Sequence, residues 1–221
     1  MRIVYGILME ISRILNGFLR IEKIIVMERI IANIDFEREA KIPVVIKLIS
    51  RDQLSSVARE ALDPKAALLN VDKDAHLFAI GSVDGYPAHR TFVAFKKAYV
   101  GAIEQEIRLD YDSAYLFRVY TDPHYRGLGI ATKAISKILS HLCERGIKRV
   151  YALIRNDNFP SLRLFRKIGF RKIGAIKFIK IFLFKYYRIK AETKKDHITL
   201  RKLFLPEKKP FRGRIAYFVF V

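Results

Sequence analysis

The chain has 221 residues, 51% of them apolar, the length of one domain with extensions or of two small domains, and enough to build a core of its own. That composition excludes intrinsic disorder; eleven Gly and seven Pro exclude collagen-like and Pro-rich chains; the single cysteine, Cys143, excludes an internal disulfide framework and a Cys-rich zinc site. The net charge of +20 is unevenly placed: residues 1–117 carry sixteen groups of each sign, residues 118–170 eleven basic and three acidic, and residues 171–221 fifteen basic and three acidic. Such asymmetry points to an anionic ligand, nucleic acid or an anionic membrane surface.

In chain order, Val4, Ile7, Leu8, Ile11, Leu15 and Phe18 recur at helical spacing and predict an amphipathic helix, packed on its own domain, on a membrane surface or in a homodimer contact. Neither a signal peptide nor a transmembrane segment is expected. Ile24–Met27 and Val44–Ile49 predict short strands, with a charged loop at Asp35–Lys41 between them. Ser50 and Gln53 have capping-box spacing before a helical pattern at Leu54, Val57, Ala58 and Ala61. Asp84-Gly85 predicts a tight turn. Thr91–Phe95, Lys96–Ala98 and Tyr99–Glu106 read as strand, turn and strand, and Ala114–Tyr120 as a further strand ended by Asp122-Pro123. A helical stripe then runs from Ile130 to Leu142 and stops at Gly146. Val150–Ile154 reads as a buried strand, and Pro160 opens a helix with Leu164, Phe165 and Ile168 inward. In residues 171–190, strand alternation sets Lys177, Ile179, Ile181, Leu183 and Lys185 on one face. The order predicts an α/β or α+β sandwich around one sheet.

The segment that carries chemistry is Val119–Ala131. A strand ends, Pro123 turns the chain, and Arg126-Gly-Leu-Gly129 opens a helix. Glycines let backbone amides converge, and a helix N-terminus adds unpaired N–H groups with positive partial charge. Together they make an anion cradle suited to a pyrophosphate. The loop is neither a Walker loop nor a dinucleotide fingerprint, and two glycines alone would also fit a structural turn.

A second segment follows, Asn158-x-x-Ser161-x-x-Leu164-Phe165-x-Lys167-x-Gly169-Phe170. With Arg126, Gly129 and Ala131 of the first, it resembles the GNAT superfamily of N-acetyltransferases in both motifs, their order and their spacing. The strong resemblance covers residues 119–170. It implies a mixed, mostly antiparallel sheet flanked by helices, with the fourth and fifth strands of the family fold, here about 114–121 and 150–155, splayed to admit the arm of acetyl-CoA. It implies a catalytic domain at 45–190, with an N-terminal extension at 1–44 and a basic extension at 191–221. The amides of Gly127, Leu128, Gly129, Ile130 and Ala131, beside Arg126, would hold the coenzyme A pyrophosphate. The main chain of Phe117, Arg118 and Val119 would pair with the pantetheine, with Asn158 beside it. Phe165 would lie near the thioester sulfur, and Ser161 and Lys167 complete the motif.

The implied activity is transfer of an acetyl group to an amine of a small-molecule acceptor in the cytoplasm, with no metal. The other two readings are acyl transfer from an acidic carrier protein and coenzyme A binding without catalysis. Phe165 stands where many members have a tyrosine that serves as general acid, and phenylalanine cannot donate a proton. Tyr120, Tyr151 or water would take that role. Glu104 and Glu106, on one face of the predicted strand Tyr99–Glu106, are the candidate bases. A nucleic-acid partner is disfavoured, because no dedicated motif for one appears.

Overall fold

The computed structural model describes residues 19–31, 38–53, 74–204 and 216–220. The helices predicted at Val4–Phe18 and from Leu54 onward lie outside the described residues. Just before the second, the Gln53 side chain accepts a hydrogen bond of 3.1 Å from the Ser50 amide, beside a 3-10 turn at Arg51–Gln53.

Eleven strands are described: β1 (Leu19–Ile30), β2 (Val45–Ser50), β3 (Leu77–Val83), β4 (Tyr86–Ala94), β5 (Lys97–Val100), β6 (Gln105–Arg108), β7 (Ser113–Thr121), β8 (Arg149–Arg155), β9 (Arg171–Ile181), β10 (Phe184–Ala191) and β11 (Ala216–Phe220). Three α-helices join them: α1 (Ile130–Glu144), α2 (Phe159–Lys167) and α3 (Lys194–Phe204). Nine strands form one sheet in the order β11-β10-β9-β1-β8-β7-β4-β3-β2, and β5 and β6 form a separate hairpin. In the large sheet, β7–β8 and β10–β11 are parallel pairs and the other pairs are antiparallel.

The apolar stripe of α1, carried by Ile130, Ala134, Ile135, Ile138, Leu139 and Leu142, packs with Leu162, Phe165 and Ile168 on one face of the sheet. Each fully buried aliphatic side chain contributes about 2 kcal/mol. The opposite face is covered by the β5–β6 hairpin, through Ala98, Val100, Ile103 and Ile107, and by Leu200, Leu203 and Phe204 of α3.

Three sequence expectations need correction. The predicted strand Tyr99–Glu106 is broken by a turn at residues 101–104, where Glu104 has φ +48°. Glu104 therefore shares no strand face with Glu106, and both stand on the small hairpin rather than in the large sheet. The alternation drawn through residues 177–185 is interrupted by the turn Phe182-Leu183, so Lys185 points to the same side as Lys180, toward Glu104. Lastly, a division at residue 44 does not follow the fold. β1 stands between β8 and β9, with Ile24 opposite Arg155 and Leu19 opposite Ile181. Residues 191–221 likewise supply a helix and a sheet strand.

Candidate active site at a splayed strand pair

The parallel ladder between β7 and β8 is short: it pairs Ser113–Leu116 with Arg149–Ala152. Beyond Leu116 the two strands part, and the edge of β7 from Phe117 to Thr121 faces the gap. On its other side β7 carries a bulge. Phe117 lies opposite Phe92 and Tyr120 opposite Arg90, so Arg118 and Val119 together oppose Thr91. Arg118 takes φ +50° to make the extra residue fit. A bulge beside an opened strand turns backbone groups away from the ladder and toward the gap. The floor is aromatic: Phe117 stacks on Tyr115 with ring centres 5.3 Å apart and meets Phe92 edge-on.

β7 leads into the loop before α1. Asp122 caps a short 3-10 turn at Pro123–Tyr125 by accepting from the His124 amide, and Arg126 Nε donates to the Thr121 carbonyl at 3.1 Å. Gly127 and Gly129 have φ +79° and +84°, and Gly129 is the N-cap of α1. None of the amides from Gly127 to Thr132 donates a hydrogen bond to another described residue. These six N–H groups cluster at the positive end of a fifteen-residue helix, an arrangement that binds phosphate. The segment before β2 props the loop: the Lys41 amide donates to the Leu128 carbonyl at 2.8 Å, and Lys133 pairs with Glu39 at 2.7 Å. A Cβ at Gly129 would stand 3.3 Å from the Ala40 Cα, so the loop holds its shape only with glycine there.

The motif of α2 is placed more variously. Asn158 is the N-cap of α2, accepting from the Ser161 amide at 3.2 Å, and Ser161 is half-buried. Lys167 is exposed in the last turn. Phe165 is 2% exposed and stands edge-on to Phe170 with centres 4.9 Å apart. Its ring is a core group in this structure, and a hydroxyl there would need a buried partner.

The candidate acids and bases divide sharply. Glu106 is half-buried and pairs with the exposed Lys97 at 3.3 Å. Glu104 accepts from Lys180 at 2.8 Å and Lys185 at 2.7 Å, with Arg20 at 3.6 Å. Partial burial works to raise its pKa, but the hydrogen bonds from the two lysines outweigh it and hold the carboxyl at about 2. A carboxylate so stabilised is a poor proton acceptor. Tyr151 is buried and hydrogen-bonded to Glu28; burial and then the Glu28 charge push its pKa up. Its hydroxyl is committed within the core. Tyr120, on the opened part of β7, is 43% exposed, with the Arg90 guanidinium 5.0 Å from its ring centre.

The sequence reading missed His89. This residue of β4 is 3% exposed, and its two ring nitrogens contact Thr121 Oγ1 and Thr91 Oγ1, each at 2.8 Å. Burial lowers its pKa to about 4, so it is a neutral imidazole at pH 7. It ties the end of β7 to the residue opposite the bulge. A lone histidine in a strand gives no signal of such a role.

With the geometry in place, comparison with known proteins is direct. The model of the acetyltransferase (GNAT) family matches residues 55–170, just over half of the chain. The chain belongs to the acetyltransferase (GNAT) family. It is 32% identical over 65 residues to the spermine/spermidine N(1)-acetyltransferase of Bacillus subtilis strain 168, covering 29% of this chain and 43% of that one. It is 30% identical over 98 residues to the N-alpha-acetyltransferase RimI of Mycobacterium tuberculosis, covering 43% of this chain and 54% of the relative. These matches thus span about half the length of the curated relatives. Among solved structures, a GCN5-related N-acetyltransferase from Kribbella flavida overlays with a TM-score of 0.47 at 12% identity, over 76% of this chain and 62% of the other.

Proposed function

We propose that the chain is an N-acetyltransferase that takes the acetyl group from acetyl-CoA and passes it to an amine of a small-molecule acceptor. The observation that carries this reading is the set of amides from Gly127 to Thr132, without partners among the described residues, at the N-terminus of α1 beside the opened edge of β7. Those amides, with Arg126 beside them, fit a pyrophosphate, and the β7 edge at Phe117–Val119 fits an extended pantetheine arm, with Asn158 at the start of α2 beside it. Acetyl-CoA would supply a thioester whose carbonyl an amine attacks directly.

The chain's own part is then mostly positional. The loop and the strand edge hold the thioester rigidly, which accounts for much of such an acceleration. An N–H on the bulged edge of β7 stabilises the negative charge that develops on the carbonyl oxygen. Glu104 is held as a carboxylate by its lysines and does not serve as the base, so the ammonium loses its proton to water. Tyr120 is the remaining tyrosine candidate for protonating the departing thiolate, with water as the other donor. The cations around Glu104, near the end at which β7 and β8 part, oppose a polyamine and favour an acceptor that also carries an anionic group.

Calorimetric titration with acetyl-CoA at low and at moderate salt tests the site. One-to-one binding that survives moderate salt is expected of a shaped cradle. Binding that vanishes with salt would reflect only the general positive field and would overturn the assignment. Amine-dependent thiol release then separates an enzyme from a chain that binds without turnover.

A further inference from the structure

The far end of β1, β9 and β10 carries a patch that the acetyl-transfer reading does not use. Leu19, Ile181 and Phe184 lie side by side across the three strands, each between 49% and 54% exposed. Leu183, at the tip of the β9–β10 hairpin, is 77% exposed. Four residues further along β9, on the same face, Lys23, Lys177 and Arg188 form a second row across the same strands. All three are exposed, and none has an ion-pair partner among the described residues. The contrast with the opposite face is direct: there Lys180 and Lys185 share the carboxylate of Glu104.

The turn adds a second observation. A two-residue hairpin loop needs positive φ and ordinarily uses Asn, Asp or Gly. The β3–β4 hairpin of this molecule complies, with Asp84 at φ +48° and Gly85 at φ +83°. The β9–β10 hairpin instead holds Phe182 at φ +52°, followed by Leu183. Bulky apolar residues in so strained and exposed a position oppose local turn chemistry, and such outliers cluster at functional sites.

An apolar tip with a row of cations behind it has the profile of a membrane-surface anchor. Such anchors bury their apolar part about 5–10 Å into the headgroup boundary. Four residues of strand put the cation row about 14 Å behind the first apolar row. The long stems of Lys and Arg reach back across part of that gap and bring the charges to the level of lipid phosphates. We propose that this hairpin end docks the protein on an anionic lipid bilayer. A nucleic acid would need its cations foremost. A second copy packing face to face would leave the convex tip at Leu183 uncovered. β8 ends at Arg155, opposite Ile24 of β1, so the opened ends of β7 and β8 lie toward the same surface. An acceptor amine held at the membrane would then meet the cleft directly, although docking itself does not depend on the acetyl-transfer reading.

Co-sedimentation of the full chain with vesicles of phosphatidylcholine alone, and with phosphatidylglycerol at roughly one lipid in three, tests the proposal at moderate salt. Binding to the anionic vesicles only is expected. Reversal of the cation row (Lys23→Glu, Lys177→Glu, Arg188→Glu) should weaken it roughly a hundredfold. Leu183→Asp should weaken it about tenfold or more, with the melting temperature unchanged. An equal reversal at the other end of the sheet (Arg145→Glu, Lys148→Glu, Lys194→Glu) controls for net charge and should have a much smaller effect. Equal losses from the two triple reversals, or full binding by Leu183→Asp, would show attraction to the overall charge and overturn the proposal. Absence of binding, together with a dimer that Leu183→Asp dissociates in sedimentation, would overturn it in favour of a second copy.

Discussion

Glu104 has three cations around its carboxylate, and that company fixes what it can do. Removing the charge by Glu104→Gln leaves Lys180 and the nearly buried Lys185 without a counterion. Breaking a pair of this kind is costly, and a loss of about 2 kcal/mol is expected, read as a lowered urea midpoint. On the proposed reading, in which water takes the proton, the pH profile of acetyl transfer should keep its shape in that variant; a lost limb would make Glu104 the base after all. Gly129 acts through space and conformation together. Gly129→Ala forces an L-residue to φ +84° against Ala40, and about a tenfold loss of acetyl-CoA affinity is expected from the distorted cradle. His89 links the site to pH. Its folded pKa of about 4 lies below the ordinary 6.5, so the unfolded chain takes up the proton first as pH falls. Its contribution is whole above pH 6.5, is lost between about 6.5 and 4, and amounts to about 3 kcal/mol. Urea midpoints at pH 7 and pH 4.5 should differ less in His89→Gln than in the native chain.

Among the elements, those with local signals were legible in the sequence. The stripe of α1, the Pro start of α2, the run of β8 and the Asp84-Gly85 turn were each read from residues that are neighbours in the chain. So was the glycine loop that opens α1, because its glycines and its helix are contiguous. The failures share a physical cause. The turn at residues 101–104 and the turn at Phe182-Leu183 carry their positive φ on Glu104 and Phe182 rather than on Asn, Asp or Gly, so both were read as strand. The β7 bulge was invisible because it depends on the register of β4 across the sheet. Packing also sets limits the sequence does not announce. At Gly174 in β9, a Cβ would come 2.4 Å from the Lys190 carbonyl oxygen and 2.6 Å from Leu200 Cδ1. Gly174→Ala should therefore cost about 1–3 kcal/mol by forcing β10 and α3 outward, visible as a lower melting temperature with the cradle's affinity retained.

For the whole molecule, the position of β1 has a consequence for how the chain reaches its native state. The first of the described strands pairs with partners about 120–160 positions later, from Ile30 opposite Arg149 to Leu19 opposite Ile181. Such high contact order slows folding, because a long loop must close before any contact rewards it. On the ribosome, β1 must wait as an unpaired apolar segment until β8 and β9 have emerged. A chain begun at residue 38 would lack the strand that joins β8 to β9, and it should fail to give a cooperative melt. Nascent protein should accordingly be most prone to aggregate, and most dependent on chaperones, in the interval between completion of α1 and release of β9.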